Sequence, residues 1–226
     1  MQTTLAFDVY GTLIDTSGVF AALENLVGEK AFTFTHLWRT KQLEYSFRRG
    51  LMQNYQDFSV CTSNALDYTC QALQTPLSTE DRTSLLNAYR RLPSFPDVRE
   101  GLEKLKSAGY RLFAFSNGRA DDVAGLLQHA RIDQQFIGVV STDEIQSFKP
   151  NPAVYAHFLR RAESCGAEAW LVSSNPFDVI GAVSAGMRGA WIKRVDNAVF
   201  DPWEIKPTVT ASNLVELYKA LQEERG

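Results

Sequence analysis

From residue 98 to residue 222, short apolar runs alternate with amphipathic segments, and that alternation leaves few folds open. Val98–Ala108 reads as an amphipathic helix closed by Gly109, a C-cap residue free to take the left-handed conformation. Leu112–Phe115 reads as a strand, Val123–Ala130 as a helix, Phe136–Val140 as a strand and Pro152–Glu163 as a helix. Trp170–Val172, Pro176–Ala185, Gly189–Ile192 and Asn213–Gln222 continue as strand, helix, strand and helix. This alternation predicts a parallel, doubly wound sheet with right-handed crossovers. Leu5–Phe7, a short apolar run near the start, reads as a further buried strand of the same sheet.

Residues 17–93 interrupt the alternation and carry no strand pattern. Val19, Leu23, Leu26 and Val27 recur at helical spacing, as do Leu37, Leu43 and Phe47. Ser78-Thr79-Glu80-Asp81 reads as a helix start, continued by Leu85, Leu86, Tyr89 and Leu92. Pro93-Ser94-Phe95-Pro96 reads as a linker. The expected architecture is α/β: a Rossmann-like doubly wound parallel sheet core from residues 1–16 and 94–226, with a helical cap, 17–93, inserted after the first strand. A site between the two would lie under the cap, shielded from water.

Several function classes are disfavoured by composition. The formal net charge is −3, from 23 Lys and Arg against 26 Asp and Glu, with no basic run, so neither nucleic acid nor an anionic membrane is an expected partner. No run of 18 apolar residues occurs, and the N-terminus enters the first strand with no apolar leader. Cys61, Cys70 and Cys165 form no CxxC and no metal spacing, and read as reduced thiols of a cytoplasmic protein. His36, His129 and His157 lack partners at metal-ligand or triad spacing and read as surface or packing residues.

The chemistry-bearing residues fall at strand ends. Asp8 with Tyr10 and Thr12 follows the first strand, Ser116-Asn117 follows another, and Ser173-Ser174-Asn175, with Asp178 one helical turn on, follows a third. Lys149, before Pro150, opens the helix between the last two. In open α/β sheets, reacting groups gather beyond the carboxyl ends of strands. An Asp there is ionised at neutral pH, with a reference pKa of about 3.9, and can attack without a separate base. On its own Asp8 is equally well a loop acid or a helix N-cap.

Taken together, these stretches resemble the haloacid dehalogenase superfamily over essentially the whole chain. Asp8-Val9-Tyr10-Gly11-Thr12-Leu13 resembles its first motif, Ser116-Asn117 its second, Lys149-Pro150 its third, and Ser174-Asn175 with Asp178 its fourth. The superfamily's phosphatases place a second Asp, an acid/base group beside Mg²⁺, where this chain has Tyr10. A phenol with a reference pKa of about 10 does not serve that purpose near neutrality. Tyr10 is instead similar to the L-2-haloacid dehalogenase branch, as are the cap stretch Trp38-Arg39-Thr40-Lys41-Gln42-Leu43-Glu44-Tyr45, the run Tyr55-Gln56-Asp57-Phe58 and the aromatic Phe177 before Asp178.

That resemblance implies hydrolysis of short (S)-2-haloalkanoic acids to (R)-2-hydroxy acids, with inversion, through an ester on Asp8. It implies Thr12 fixing Asp8, Arg39 and the Asn117 amide receiving the halide, and Ser116 with backbone N–H groups around Val9, Tyr10 and Asn117 receiving the carboxylate. Lys149 would keep Asp8 and Asp178 ionised. Asp178 would act as base for the attacking water, with Ser173 and Asn175 holding Asp178 and that water. Tyr155 would contact the site, and Tyr10, Leu43, Phe58 and Phe177 would line an apolar pocket. Asp15 reads as a structural acid capping or pairing locally. No metal and no cofactor are implied, the partners being a small halogenated carboxylate and halide, and family members are commonly homodimers. Two other readings stay open: a divergent Mg-dependent phosphatase of the same superfamily, and a non-catalytic binding protein on this fold.

Overall fold

The computed structural model describes residues 2–224. Six strands form one sheet: β1 (Thr4–Phe7), β2 (Arg111–Ser116), β3 (Gly138–Ser141), β4 (Ala169–Ser173), β5 (Arg188–Ile192) and β6 (Val209–Ala211). Their order is β3-β2-β1-β4-β5-β6 and every neighbouring pair is parallel. Parallel neighbours need crossovers, supplied here by α5 (Val98–Ser107), α6 (Ala120–His129), α7 (Pro152–Arg161) and α8 (Pro176–Ser184), with α9 (Leu214–Glu223) closing the chain. The strand order reverses about β1, which makes its carboxyl end the switch point of the sheet.

Alternation along β1 divides the core between two faces. Leu5 and Phe7 join one buried cluster with Leu102, Leu105, Leu217 and Leu221 of α5 and α9. Ala6 turns to the other, with Phe115, Val154, Tyr155, Phe158 and Ala182. Both faces of the sheet are therefore covered, which explains why the strands read as continuous apolar runs.

Between β1 and β2 the chain forms α1 (Ser17–Val27), α2 (Ala31–Leu51), α3 (Phe58–Ala72) and α4 (Thr79–Ala88). Residues 17–91 contribute no strand among the described residues. The expected cap signal at Ser78 is present: its hydroxyl accepts the Asp81 N–H at 3.0 Å. Asp15 also acts locally, its carboxylate accepting the Ser17 N–H at 2.9 Å. Val19, Leu23, Phe34, Trp38, Ala65, Leu66 and Leu85 bury themselves in the same cluster as Leu5 and Phe7, so these helices pack onto the sheet as well as onto each other. No helix of the described residues is long and apolar enough to cross a membrane.

Two element starts and one additional strand differ from expectation. β3 begins at Gly138, not Phe136, because the Phe136 ring turns edge-on to Phe7, with centroids 6.0 Å apart. α6 begins at Ala120, three residues early, with Asp121 and Asp122 favourably placed in its first turn. β6 was unexpected: Val209-Thr210-Ala211 is too short to show a period, and it exists through pairing with β5.

Gly101 lies where α5 meets α9. A Cβ there would fall against the Leu214 side chain and 3.0 Å from the Leu214 carbonyl carbon. Gly101→Ala is expected to destabilise the fold by about 1–3 kcal/mol through overpacking, although Ala is the better helix former. A lowered urea midpoint with an unchanged slope would bear this out; an unchanged or raised midpoint would refute it.

Candidate active site

The register of three strands assembles the centre. Phe7 pairs with Ala114 on β2 and with Val172 on β4, so Asp8 emerges beside the last residues of both neighbours. Its N–H donates to the Val172 carbonyl at 2.9 Å. Gly11, at φ +80°, lets the chain turn directly after the strand, and the amides of Leu13 and Ile14 come back to the Val9 carbonyl at 2.9 and 3.0 Å. That turn returns Thr12 to the acid it follows.

The two oxygens of Asp8 are in unequal surroundings. Oδ2 accepts from Thr12 Oγ1 at 2.9 Å, Ser173 Oγ at 3.2 Å and Asn175 Nδ2 at 2.8 Å. Oδ1 accepts from Lys149 Nζ at 3.2 Å. Thr12 Oγ1 in turn accepts the Ser174 N–H at 2.8 Å, and Ser173 Oγ accepts the Asn175 N–H at 3.1 Å. Each donor to Oδ2 is thus itself oriented by, or borne on, the loop after β4.

Lys149 is only 2% exposed and all three of its hydrogens are used. Besides Asp8 it donates to Asp178 Oδ2 at 2.8 Å and to the Phe115 carbonyl at 2.9 Å. Burial opposes its charge, but Asp178 and then Asp8 outweigh that, and its pKa stands above the ordinary lysine value. Asp178 is fully buried. Its Oδ1 accepts from Tyr155 Oη at 2.8 Å. Burial raises its pKa above the usual carboxylate value, Lys149 pulling down and Asp8 pushing up.

Asn117 turns its carbonyl oxygen away from open space, to the Lys149 N–H at 2.9 Å and the Thr142 hydroxyl at 3.2 Å. With Oδ1 held, the amide's two hydrogens point elsewhere. Ser116, 2% exposed, accepts the Gly118 N–H at 3.1 Å, which leaves its own proton to donate.

A cavity of about 450 Å³ lies between α2, α3, α4 and the carboxyl edge of the sheet, walled by Tyr10, Arg39, Phe58, Tyr89, Gly118 and Arg119 among others. The Tyr10 hydroxyl is held well above the ordinary phenol range, first by burial and then by Asp122. It is no acid or base near neutrality. Its ring stands edge-on to Tyr89, which stands edge-on to Trp38, with centroids 6.2 and 5.5 Å apart. Among the described residues no three His, Cys, Asp or Glu side chains gather as a metal site.

One sequence expectation needs correction, and four other expected residues take the positions that follow. Ser173 and Asn175 direct their side chains at Asp8, not Asp178, because the loop after β4 runs alongside the end of β1. Tyr155 is wholly buried in the core and reaches Asp178, not the cavity. On α2 the cavity is walled by Thr35, Arg39 and Gln42; Leu43 is not part of the wall, and neither are Asp8, Ser116 and Asn117. Phe177 is also outside the wall, its ring edge-on to Phe47 of α2 at 5.2 Å. Val9 buries its side chain in the core and offers its carbonyl to the returning turn, which leaves the expectation for the N–H groups around it untouched.

Two further contributors emerge: Arg194, which had no sequence signal, and Tyr55, which belonged to the run Tyr55-Gln56-Asp57-Phe58 but had no role there. Arg194 donates to the Thr12 carbonyl at 2.6 and 3.1 Å and to Asp97 at 2.6 Å, tying the Asp8 turn to the chain after residue 96. Tyr55 Oη donates to Asp143 at 2.6 Å and so joins the helices to the far side of the sheet edge.

Comparison with known proteins finds relatives along most of the chain. The family model described as haloacid dehalogenase-like hydrolase matches residues 3–186. An (S)-2-haloacid dehalogenase of Pseudomonas putida is 34% identical over 213 residues, 94% of this chain and 93% of the relative. The solved L-2-haloacid dehalogenase RSc1362 superposes with a TM-score of 0.94 at 30% identity, covering 98% of this chain and 99% of that one. The L-2-haloacid dehalogenase of Xanthobacter autotrophicus with chloropropionic acid covalently bound superposes with a TM-score of 0.89, at 30% identity and the same coverage.

Removing Lys149 strips two buried carboxylates of their shared cation. Lys149→Met is expected to lose about 3–5 kcal/mol in urea unfolding. Without Lys149, Asp178 binds its proton more tightly in the folded than in the unfolded chain. A folded pKa above the unfolded value of about 3.9 gives stability that is complete below it and lost as pH rises toward the folded pKa. The deficit is therefore expected to be smaller at about pH 5 than at about pH 8; a deficit that grows on acidification would contradict this account.

Proposed function

This chain belongs to the haloacid dehalogenase-like hydrolases, and we propose that Asp8, Lys149 and Asp178 are its working groups. It hydrolyses short (S)-2-haloalkanoic acids to (R)-2-hydroxy acids, by way of an ester on Asp8. The observation that carries the assignment of roles is the inequality of the two Asp8 oxygens. Oδ2 is taken by three donors, whereas Oδ1 meets only the Lys149 ammonium and keeps a lone pair for attack.

In the first step Asp8 Oδ1 attacks the halogen-bearing carbon in line. The new carbon–oxygen bond forms as the carbon–halogen bond breaks, the halide leaves with the bonding pair, and the carbon inverts. Arg39 and the free hydrogens of the Asn117 amide receive the halide. Ser116 donates to the substrate carboxylate. In the second step water attacks the Asp8 carboxyl carbon. Negative charge then develops on Oδ2, where Thr12, Ser173 and Asn175 already stand as donors. Asp178, whose proton affinity burial raises, takes the water's proton. Collapse breaks the bond between the carboxyl carbon and Oδ1, so the product leaves with an oxygen that belonged to Asp8.

The helices of 17–93 act as a cap that keeps bulk water from the ester. Tyr10 and Phe58 give the substrate's alkyl part an apolar wall. With this reading go a homodimer and a cytoplasmic location, the latter in keeping with three free cysteines. The phosphatase alternative has no acid two residues after Asp8, and burial moves the Tyr10 hydroxyl further from that role.

Halide release from (S)-2-chloropropionate is expected to persist in EDTA and to fall by on the order of 10⁴-fold or more in Asp8→Asn. In a single turnover in ¹⁸O-water the label is expected on Asp8 and not in the hydroxy acid. Label appearing directly in the product would rule out the ester.

A further inference from the structure

Gln42 is an amide in a place where an amide needs a reason. It is 2% exposed, inside a helical layer that otherwise buries Ala31, Phe34, Trp38, Ala65 and Leu66. Burying an unbonded amide is costly, so its partners account for its presence. Its Oε1 accepts from Arg39 Nη1 at 2.7 Å. Its Nε2 donates to Thr62 Oγ1 at 2.6 Å, and that hydroxyl donates to the Phe58 carbonyl at 2.9 Å. A chain of three hydrogen bonds thus runs from the backbone of α3 to the guanidinium on α2.

The nature of the acceptor matters as much as its position. Among the described residues no carboxylate lies within 4.0 Å of Arg39. Glu44, on the same helix, is engaged by Lys41 and Arg48. Asp57, which shares the cavity, is occupied with the first amides of α3. Asp122 faces Arg90 at 3.6 Å. Arg39 is therefore oriented by a neutral oxygen that takes one of its five N–H donors and none of its charge.

Resting on the dehalogenase reading, we infer that Gln42 is a positioning residue that aims Arg39 at the departing halide while leaving its positive charge uncompensated. A Glu in its place would keep the acceptor and the shape but would pair with the guanidinium. A Met would keep the charge but lose the aim. The buried Tyr89 hydroxyl agrees with the placement: burial raises its pKa and Arg39 pulls it down, so the two are electrostatic neighbours at the cavity.

The test compares the unmodified protein with Gln42→Glu, Gln42→Met and Thr62→Val, each checked by circular dichroism and thermal melting. Bromide binding is read directly from ⁸¹Br linewidths, and by product inhibition of (S)-2-chloropropionate turnover. Gln42→Glu is expected to weaken bromide binding by on the order of tenfold or more and to lower kcat, with KM for the acid moved less. Its bromide affinity is expected to recover as pH falls and the introduced carboxyl is protonated, a signature that a packing role does not produce. Gln42→Met and Thr62→Val should show smaller losses in the same direction, without the recovery. If Gln42→Glu does not fold, folded Gln42→Met and Thr62→Val with unchanged bromide binding overturn the inference. So does a folded Gln42→Glu with unchanged binding. If the unmodified protein releases no halide from any 2-haloacid, the dehalogenase reading itself falls, and the inference with it.

Discussion

The site depends on one buried ammonium group. Lys149 Nζ stands between Asp8 and Asp178 and has a third acceptor in the Phe115 carbonyl. Two carboxylates this close repel each other, and a single cation with every hydrogen engaged counters that repulsion, while burial still holds Asp178 above the usual carboxylate pKa. Lys149 comes from the segment after β3, so it also ties three strand ends together. The parallel sheet makes this possible. Only where β2, β1 and β4 end side by side do an acid from one, a carbonyl from the next and a loop from the third meet.

Around that cation the donors divide their work by oxygen. Oδ2 of Asp8 is crowded and Oδ1 is spare, an arrangement that suits a nucleophile whose attacking oxygen becomes the ester oxygen and whose other oxygen becomes the carbonyl. On the proposed mechanism the same three donors serve the second step without rearrangement. Preorganisation of this kind removes the cost of turning solvent dipoles during reaction. Arg194 fixes the Asp8 turn from behind by holding the Thr12 carbonyl and Asp97 together.

On the other side of the cavity the helices supply a different kind of order. Tyr10, Tyr89, Trp38 and Phe34 form a run of edge-on rings from the end of β1 into α2. Trp38 also donates to the Thr62 carbonyl of α3 at 2.9 Å, close to the hydroxyl that holds Gln42. Arg39 is thus carried on an aromatic-packed helix and not on a loop, in keeping with the halide-receiving role proposed for it.

Much of this was legible from residue order. The strand and helix alternation, the helical run of 17–93 and the polar strand ends follow from period and turn chemistry, local properties of the chain, whereas the roles expected of Asp8, Thr12, Arg39, Ser116, Asn117, Lys149 and Asp178 come from the family resemblance that their motifs carry. So does the meaning of Tyr10, which depends on its distance from Asp8 along the chain. What lay beyond reach was the pairing. Asn175 reaches Asp8 across 167 residues, and Ser173 across 165. Their presence near the site was readable; their choice of Asp8 over Asp178 was not. The surroundings of Tyr155, Leu43 and Phe177 lay beyond reach for a related reason: a helix period says which residues share a face, not what that face meets. Arg194 and the three-residue β6 left no mark in the sequence, and Gln42 stood in the cap stretch without a role of its own. Sequence by itself determined which groups are present and at which strand end; tertiary structure decided which oxygen each donor serves. Hydrogen bonds are set by ångström distances between side chains that only the folded sheet brings together.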